Sequence, residues 1–302
     1  MAYLDTACTS FDHLLEFDVP YIPNMPDVSR TFALKNSDRE RVLDFLNQRP
    51  VHTVAMVSFI LDNGIESRLN RGKFYGYHDR AGNLEGVALI GHTTLVETRT
   101  DEALSALALT ARKHADSIHL IMSGEDKALD FWAGSTDTSE PRLVCREVLF
   151  ELGFPFPVRT CGFEVRLAKA DELIQVAEAQ AEVAFIETGH DPMLRDREGF
   201  LQRVLRRIEQ GRVYVVVKDG KLVFKADVVS LTDQTAYLEG VYVAGEHRGK
   251  GIGSECLAEV GRRLLSLVNN VCLLSNVEFT GAHRSFEKAG FRKAGECTTI
   301  FA

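Results

Sequence analysis

The chain has 302 residues, which at about 150 residues per domain predicts two domains. Hydrophobic residues make up 45% of it, enough to fill real cores, and this argues against a disordered protein. With 35 basic and 43 acidic side chains the net charge is −8, which argues against a binder of nucleic acid or of anionic membranes.

The remaining global features favour a cytoplasmic protein. The most apolar stretch, residues 54–61, is too short to cross a bilayer, and the first residues have no signal-peptide pattern. The six cysteines are scattered without a CxxC pair, and no HExxH occurs among the nine histidines. We therefore expect reduced thiols and no metal site.

The first half begins with an irregular, proline-containing stretch, residues 1–30, which predicts an extended N-terminal arm. Residues 74–77 and 84–90 are β-rich runs joined by a turn. Residues 91–101 follow, with one glycine and two acidic residues, and we interpret them as a loop that cannot cradle a phosphate. Further elements are predicted as a helix at 101–114, a strand at 118–122, a short helix at 127–133 and a strand at 144–150.

The second half repeats this order more clearly. Asp219-Gly220 between two apolar runs is a strong hairpin signal. The predicted elements are strands at 162–168, 212–218, 221–229, 237–243, 271–275 and 297–301 and helices at 171–186, 195–210, 252–268 and 281–289. The shared order indicates a whole-domain repeat, with a boundary near the two prolines of residues 154–157. We assign residues 31–158 to the first domain and residues 159–302 to the second.

The strongest motif is VYVAGEHRGKGIG, residues 241–253, where a strand enters a glycine-rich loop that opens directly into a helix. Consecutive N–H groups of such a loop form an anion nest, and the new helix adds its positive dipole end. The spacing fits neither the GxxxxGK[ST] of a P-loop nor the GxGxxG of a dinucleotide fold. The pattern therefore predicts a pyrophosphate site of a different class.

This loop resembles the acetyl-CoA loop of the GNAT acyltransferases, which has the form RGxGxG or RGxGxA. The segment AHRSFEKAGF, residues 282–291, is similar to a second signature of that family. Residues 187–192, 211–212, 223–227 and 240–243 resemble a bacterial subgroup that carries a GNAT-like N-terminal domain before the catalytic one. The resemblance implies an α/β (α+β) fold of two tandem GNAT-like domains, each a mixed, mostly antiparallel sheet flanked by helices. The first domain is then a degenerate copy without the phosphate loop.

The resemblance also assigns a site for acetyl-CoA or another acyl-CoA. The pyrophosphate is expected on the backbone of Arg248, Gly249, Lys250, Gly251, Ile252, Gly253 and Ser254. The pantetheine arm is expected along Val241, Tyr242 and Val243, as an added strand. The thioester would lie where this strand and the strand ending at Asn276 diverge.

The sequence departs from the family at two of these positions. Phe279 stands where the family usually has an Asn that contacts the cofactor, and Phe286 stands where it usually has a Tyr that protonates the leaving thiolate. Phenylalanine can do neither. A thiol of pKa about 8.5 leaves tolerably without a proton donor, so the departures do not by themselves abolish the chemistry.

The catalytic and acceptor residues have weaker signals. Glu239 lies two residues before Val241 on the same strand face, and it is either the general base or a salt-bridged strand carboxylate. Glu187, His190 and Asp191 lie in the segment that forms the acceptor loop in this family, or they form a capped polar turn before Pro192. Lys225 is either a buried functional lysine or, as is more common at such a position, a lysine that extends from a strand edge into solvent.

Two functions fit these observations. The first is transfer of an acetyl or other acyl group to a primary amine of a small molecule or peptide, by direct attack. The alternative is a non-catalytic acyl-CoA-binding sensor or scaffold, which the two phenylalanines and the degenerate first domain favour. Neither function involves nucleic acid or a membrane, and we expect a monomer or a homodimer.

Overall fold

The computed structural model describes residues 26–113, 118–136, 140–156 and 160–302. Most of the predicted N-terminal arm, residues 1–25, lies outside these ranges. Val28–Arg30 forms a short 3-10 turn, so this end of the predicted arm is wound rather than extended. No helix in the described ranges is long and apolar enough to span a bilayer.

Within the described residues, strands and helices follow the order that the repeat predicts. The strands are β1 (Thr31–Ala33), β2 (Gly72–His78), β3 (Leu84–Gly91), β4 (Thr93–Thr98), β5 (Leu120–Gly124), β6 (Leu143–Gly153), β7 (Arg166–Leu167), β8 (Val213–Lys218), β9 (Lys221–Leu231), β10 (Thr235–Val243), β11 (Asn270–Asn276) and β12 (Arg292–Phe301). The helices are α1 (Arg39–Leu46), α2 (Pro50–Asn63), α3 (Asp101–Arg112), α4 (Lys127–Ser135), α5 (Leu173–Thr188), α6 (Pro192–Arg195), α7 (Arg197–Glu209), α8 (Ile252–Leu264) and α9 (Thr280–Ala289).

The two halves have the same topology. The series β2-β3-β4-α3-β5-α4-β6 is repeated as β8-β9-β10-α8-β11-α9-β12. In each half one pair of strands is parallel, β4 with β5 and β10 with β11, and the other neighbours are antiparallel. The predicted fold class, two repeated α/β units with mixed, mostly antiparallel sheets flanked by helices, is therefore confirmed.

The halves exchange their last strands. The described strands form one sheet of twelve in the order β1-β2-β3-β4-β5-β12-β6-β11-β10-β9-β8-β7. β12, from the end of the chain, pairs with β5 of the first half, and β6, from the end of the first half, pairs with β11 of the second. The predicted domain boundaries remain predictions, but the sheet is continuous across them.

Helices cover both faces of this sheet. On one face α1 and α2 pack on Val87 and Leu89, whereas α3 and α4 pack on the intervening Ala88 and Ile90 from the other side. In the second half α5 and α7 cover one face, and α8 and α9 cover the opposite one. Helix α2 reaches across the junction, because its Val54 clusters with residues of β6, β10 and β11.

Several local predictions need correction. Residues 91–101 are not a loop: most of them form β4, and Arg99 and Thr100 alone separate this strand from α3. The strand predicted at 162–168 is reduced to Arg166–Leu167. Helices α1 and α2 were not predicted, since the run at 54–61 is apolar on nearly every side and gives no clear helical period.

The contribution of the exchanged strand β6 to stability can be tested. Phe150 is fully buried in the core of the second half, 5.4 Å from the ring of Phe286. We expect Phe150→Ala to lower the free energy of unfolding by about 3–5 kcal/mol, because the truncation leaves a cavity. Urea unfolding measures this, with the partly exposed Val144→Ala on the same strand as a control that loses under about 1 kcal/mol. A loss for Phe150→Ala no larger than the control's would contradict the buried position.

Candidate functional site

A cleft opens where β10 and β11 diverge. The two strands pair in parallel from Thr235 and Asn270 as far as Leu238 and Leu273, and both continue beyond that point without pairing with each other. The space between them belongs to a cleft of about 610 Å³ that also reaches α5, α8 and α9. A bulge in β10 accompanies the divergence: the register with β9 is interrupted between Glu239 and Tyr242.

The glycine-rich loop forms one end of the cleft. After a 3-10 turn at Gly245–His247, Gly249 and Gly251 adopt φ angles of 76° and 84°, which are costly for a residue with a side chain. A Cβ at Gly249 would meet no atom within 4 Å, so this backbone faces open space. Helix α8 begins at Ile252, and no described side chain caps its N-terminus. Its first N–H groups lack intrahelical partners and are available to an anion.

Basic side chains near this end are arranged differently from the prediction. Arg248 points away from the loop, because its guanidinium donates to the Val243 carbonyl and to Glu182 on α5, both at 2.8 Å. Lys250 is not among the residues that line the cleft in the described structure. Arg284 and Lys288 of α9 do line it. The sequence analysis missed this pair, although their spacing with Gly281 puts all three on one helix face.

The other predicted cofactor positions divide into two groups. Those that line the cleft are Val241, Tyr242, Val243, Arg248, Gly249, Gly251, Ile252, Gly253, Ser254, Phe279 and Phe286. Asn276 is not among the described lining residues: its side-chain oxygen accepts from the Glu278 N–H at 2.9 Å. Phe286 is 7% exposed and packs on Phe150, so it closes the cleft floor without offering a proton donor.

Glu239 lies on the bulge, at the point of divergence. Its side chain reaches solvent through the cleft. Desolvation by the surrounding protein raises the pKa of its carboxyl, while the charge of Arg207 and a hydrogen bond from Tyr237 act in the opposite direction. A carboxyl with a raised pKa is a stronger base, and this is the property that general-base chemistry needs.

Two further carboxylates interact with Glu239: Glu187 lines the cleft, whereas Glu147 is not among the described residues that line it. Glu187, near the end of α5, has its pKa raised to about 7 by desolvation and by the charges of Glu239 and Glu147. Glu147, on β6, also has a pKa of about 7, raised by desolvation and by Glu239, although Thr299 donates a hydrogen bond to it at 2.5 Å. The sequence analysis missed Glu147 because it lies in the first half and enters the site only through the strand exchange.

These acidic residues form a region that favours positive charge. Mutual repulsion and desolvation both oppose the fully ionised state, so a cation entering between them is stabilised. The described residues contain no group of three or more His, Cys, Asp or Glu side chains arranged to hold a metal ion.

The remaining acceptor candidates lie apart from the cleft. His190 is exposed, with Nδ1 2.9 Å from the Thr188 carbonyl. Asp191 caps α6 by accepting from the Met193 N–H at 2.8 Å. The structure thus gives both residues local roles in the turn before Pro192, and neither is among the described residues that line the cleft.

The corresponding region of the first half is organised differently. β4 and β5 pair as far as Leu95 and Met122 and then diverge, as β10 and β11 do. Glu97 follows the divergence and is buried, in ion pairs with Arg49 at 3.1 Å and with Arg99. This arrangement and the two-residue connection to α3 leave no glycine loop for a phosphate.

Comparisons with known proteins agree with this geometry. A family model described as an acetyltransferase (GNAT) domain matches residues 209–293, which include the glycine-rich loop and both diverging strands. A sequence search of curated proteins finds no match.

Solved structures share the fold over most of the chain. A GNAT-family acetyltransferase from Colwellia psychrerythraea is 15% identical with a TM-score of 0.52, and the match covers 90% of this chain and 99% of that one. A tandem GNAT protein from the clavulanic acid biosynthesis pathway is 14% identical with a TM-score of 0.54, over 90% and 97% of the two chains. A GCN5-related N-acetyltransferase from Sphaerobacter thermophilus is 13% identical with a TM-score of 0.58, over 89% and 94%. Residues 209–293 therefore match an acetyltransferase (GNAT) domain, and the solved structures show that the fold over most of the chain is similar to that of GNAT acetyltransferases.

Proposed function

We propose that the protein transfers an acetyl or other acyl group from acyl-CoA to a primary amine. The observation that carries this proposal is the cleft between β10 and β11, with an uncapped glycine-rich helix N-terminus at one end and Glu239 at the point of divergence. An anion site and a base in one cleft are what this reaction requires.

The residues present fit the phosphate end of acyl-CoA. The N–H groups of residues 248–254 would hold the pyrophosphate, and the positive end of α8 would stabilise its charge. Arg284 and Lys288 add two cations along the same cleft. The backbone of Val241 and Val243 would pair with the pantetheine amides, because β10 has no strand partner on this side beyond Leu238.

When bound, acyl-CoA supplies an activated thioester carbonyl. Glu239 would take the proton from the ammonium group of the acceptor, directly or through one water, so that the free amine can attack. Phe279 and Phe286 would keep water away from the reacting carbon. Neither can protonate the leaving thiolate, and a thiol of pKa about 8.5 leaves without that assistance.

The acceptor is proposed to be a small molecule or peptide that carries a second positive charge besides the reacting amine. Glu187 and Glu147 would bind that second charge while Glu239 acts on the reacting one. Because Glu147 comes from the first half, the degenerate unit would contribute to acceptor recognition.

An acceptor panel tests this function. The protein is incubated with acetyl-CoA and 1,4-diaminobutane, with butylamine as the matched amine of equal length, and release of free thiol is followed. We expect turnover of both, with kcat/KM at least about tenfold higher for the diamine, because a hydrogen-bonded charge is worth at least that much. The alternative, a non-catalytic acyl-CoA sensor or scaffold, would be favoured by micromolar CoA binding without turnover of any amine.

A further inference from the structure

A lysine beneath the cleft has its ammonium group completely enclosed. Lys225 on β9 is 0% exposed, so of its two predicted positions the buried one is found and the solvent-exposed one is not. Its Nζ lies 2.6 Å from Oε1 of Gln180, 2.8 Å from Oδ1 of Asp227 and 3.1 Å from the carbonyl oxygen of Gly240. A buried charge is costly unless such partners compensate it, so its presence in a sheet interior calls for a role.

The three partners come from three different elements. Gln180 belongs to α5, Asp227 to β9, and Gly240 to the bulge of β10 that precedes the cleft. A Cβ at Gly240 would lie 2.8 Å from Nζ and would overlap Oε1 of Gln180. The bulge is therefore packed directly on the lysine, and its carbonyl is held by the ammonium group.

The same lysine balances the charges behind Glu239. Asp227 is the cross-strand partner of Glu239 and lies between two cations, Lys225 and Arg207, whose Nη1 donates to Oδ2 at 2.7 Å. Two positive and two negative groups thus occupy this part of the sheet face. The other titratable groups that act on Glu239 are Tyr237 on its own strand, Glu187 on α5 and Glu147 on β6.

We infer that Lys225 is a positioning residue for the proposed transfer: it fixes the bulge that keeps β10 and β11 apart and supplies positive charge opposite Glu239. The first effect places the backbone that would receive the pantetheine arm. The second favours the ionised form of the proposed base. This inference rests on the proposed function, and the experiment is arranged so that the two can fail separately.

The first measurement is CoA affinity by calorimetry, which does not depend on turnover. Lys225→Met removes the charge and keeps most of the volume, and Lys221→Met changes an exposed lysine on the same strand as a control. We expect the Kd for CoA to rise about tenfold in Lys225→Met, the value of one lost charged hydrogen bond, and to stay unchanged in the control. Wild-type protein that does not bind CoA would count against the proposed function rather than against Lys225.

The second measurement is the pH profile of kcat/KM in two variants that change the net charge beside Glu239 in opposite directions. Lys225→Met leaves a net negative charge beside Glu239. The carboxyl of Glu239 then ionises less readily, so the acidic limb of the pH profile moves to higher pH. Asp227→Asn leaves a net positive charge, so the limb moves to lower pH. A general loosening of the fold would not produce shifts of opposite sign.

The outcomes decide the inference even if one variant folds poorly. If thermal melting shows that Lys225→Met is unfolded, the direction of the Asp227→Asn limb is decisive, and Lys225→Arg should restore folding and CoA affinity close to wild type. The inference is overturned if folded Lys225→Met binds CoA as tightly as wild type. It is also overturned if the acidic limbs of the two variants move in the same direction, or if the acidic limb of Asp227→Asn does not move.

Discussion

Glu239→Gln is expected to lower kcat by about 10²- to 10⁴-fold, the usual contribution of a general base, while leaving CoA affinity unchanged. The amide keeps the size of the carboxylate and removes its basicity. Because burial raises the pKa of Glu239, the acidic limb of the wild-type pH profile should lie above the ordinary range of a glutamate, and the variant should lose that limb.

The measurement is steady-state thiol release across pH, with CoA binding followed by calorimetry. Glu209→Gln is the matched control, since this glutamate is exposed at the end of α7, away from the residues that line the cleft. A loss of less than about threefold would mean that another group or bulk water takes the proton. Glu187→Gln would then be the next variant, because Glu187 also lines the cleft.

Gly251→Asp is expected to weaken CoA binding by at least about 100-fold, because like charges brought together at a binding site cost several kcal/mol. The new carboxylate would lie at the start of α8, where the phosphates are proposed to bind. The new aspartate would also be held at a φ of 84°, a conformation that is less favourable for aspartate than for glycine.

Two controls separate charge from backbone strain. Gly251→Ala introduces the Cβ without the carboxylate. Gly220→Asp places an aspartate at a φ of 75° in the hairpin turn between β8 and β9, where no atom lies within 4 Å of the new Cβ. We expect Gly220→Asp to bind CoA like wild type and Gly251→Ala to be intermediate. Undiminished binding by Gly251→Asp would remove the loop from the proposed site.

Features with local causes could be predicted from the sequence. Asp219 and Gly220 both have positive φ, as the hairpin signal requires, and β8 and β9 pair around them. The order of strand, glycine loop and helix around residues 241–252 is likewise as expected, since glycine and helix-start signals act over a few residues.

Features that depend on distant partners could not be predicted. The alternation of side chains in β6 and β12 is the same whichever neighbour they pair with, so the exchange left no trace in the pattern. Glu147 reaches the site through that exchange, and Arg207 reaches it through the packing of α7. For the same reason the sequence could not decide between a buried and an exposed Lys225: its burial depends on Gln180, 45 positions earlier in the chain.

The strand exchange also constrains how the protein can be made. β5 pairs with β4 on one side, but its neighbour on the other side is β12, and residues 125–291 must be synthesised before β12 exists. At about 5–20 residues per second this interval is on the order of ten to thirty seconds. During that time the nascent first half presents an unpaired strand edge, which is a template for incorrect association. A chain that ends just before residue 292 would therefore leave both units incomplete, because each of them pairs with β12 or contains it.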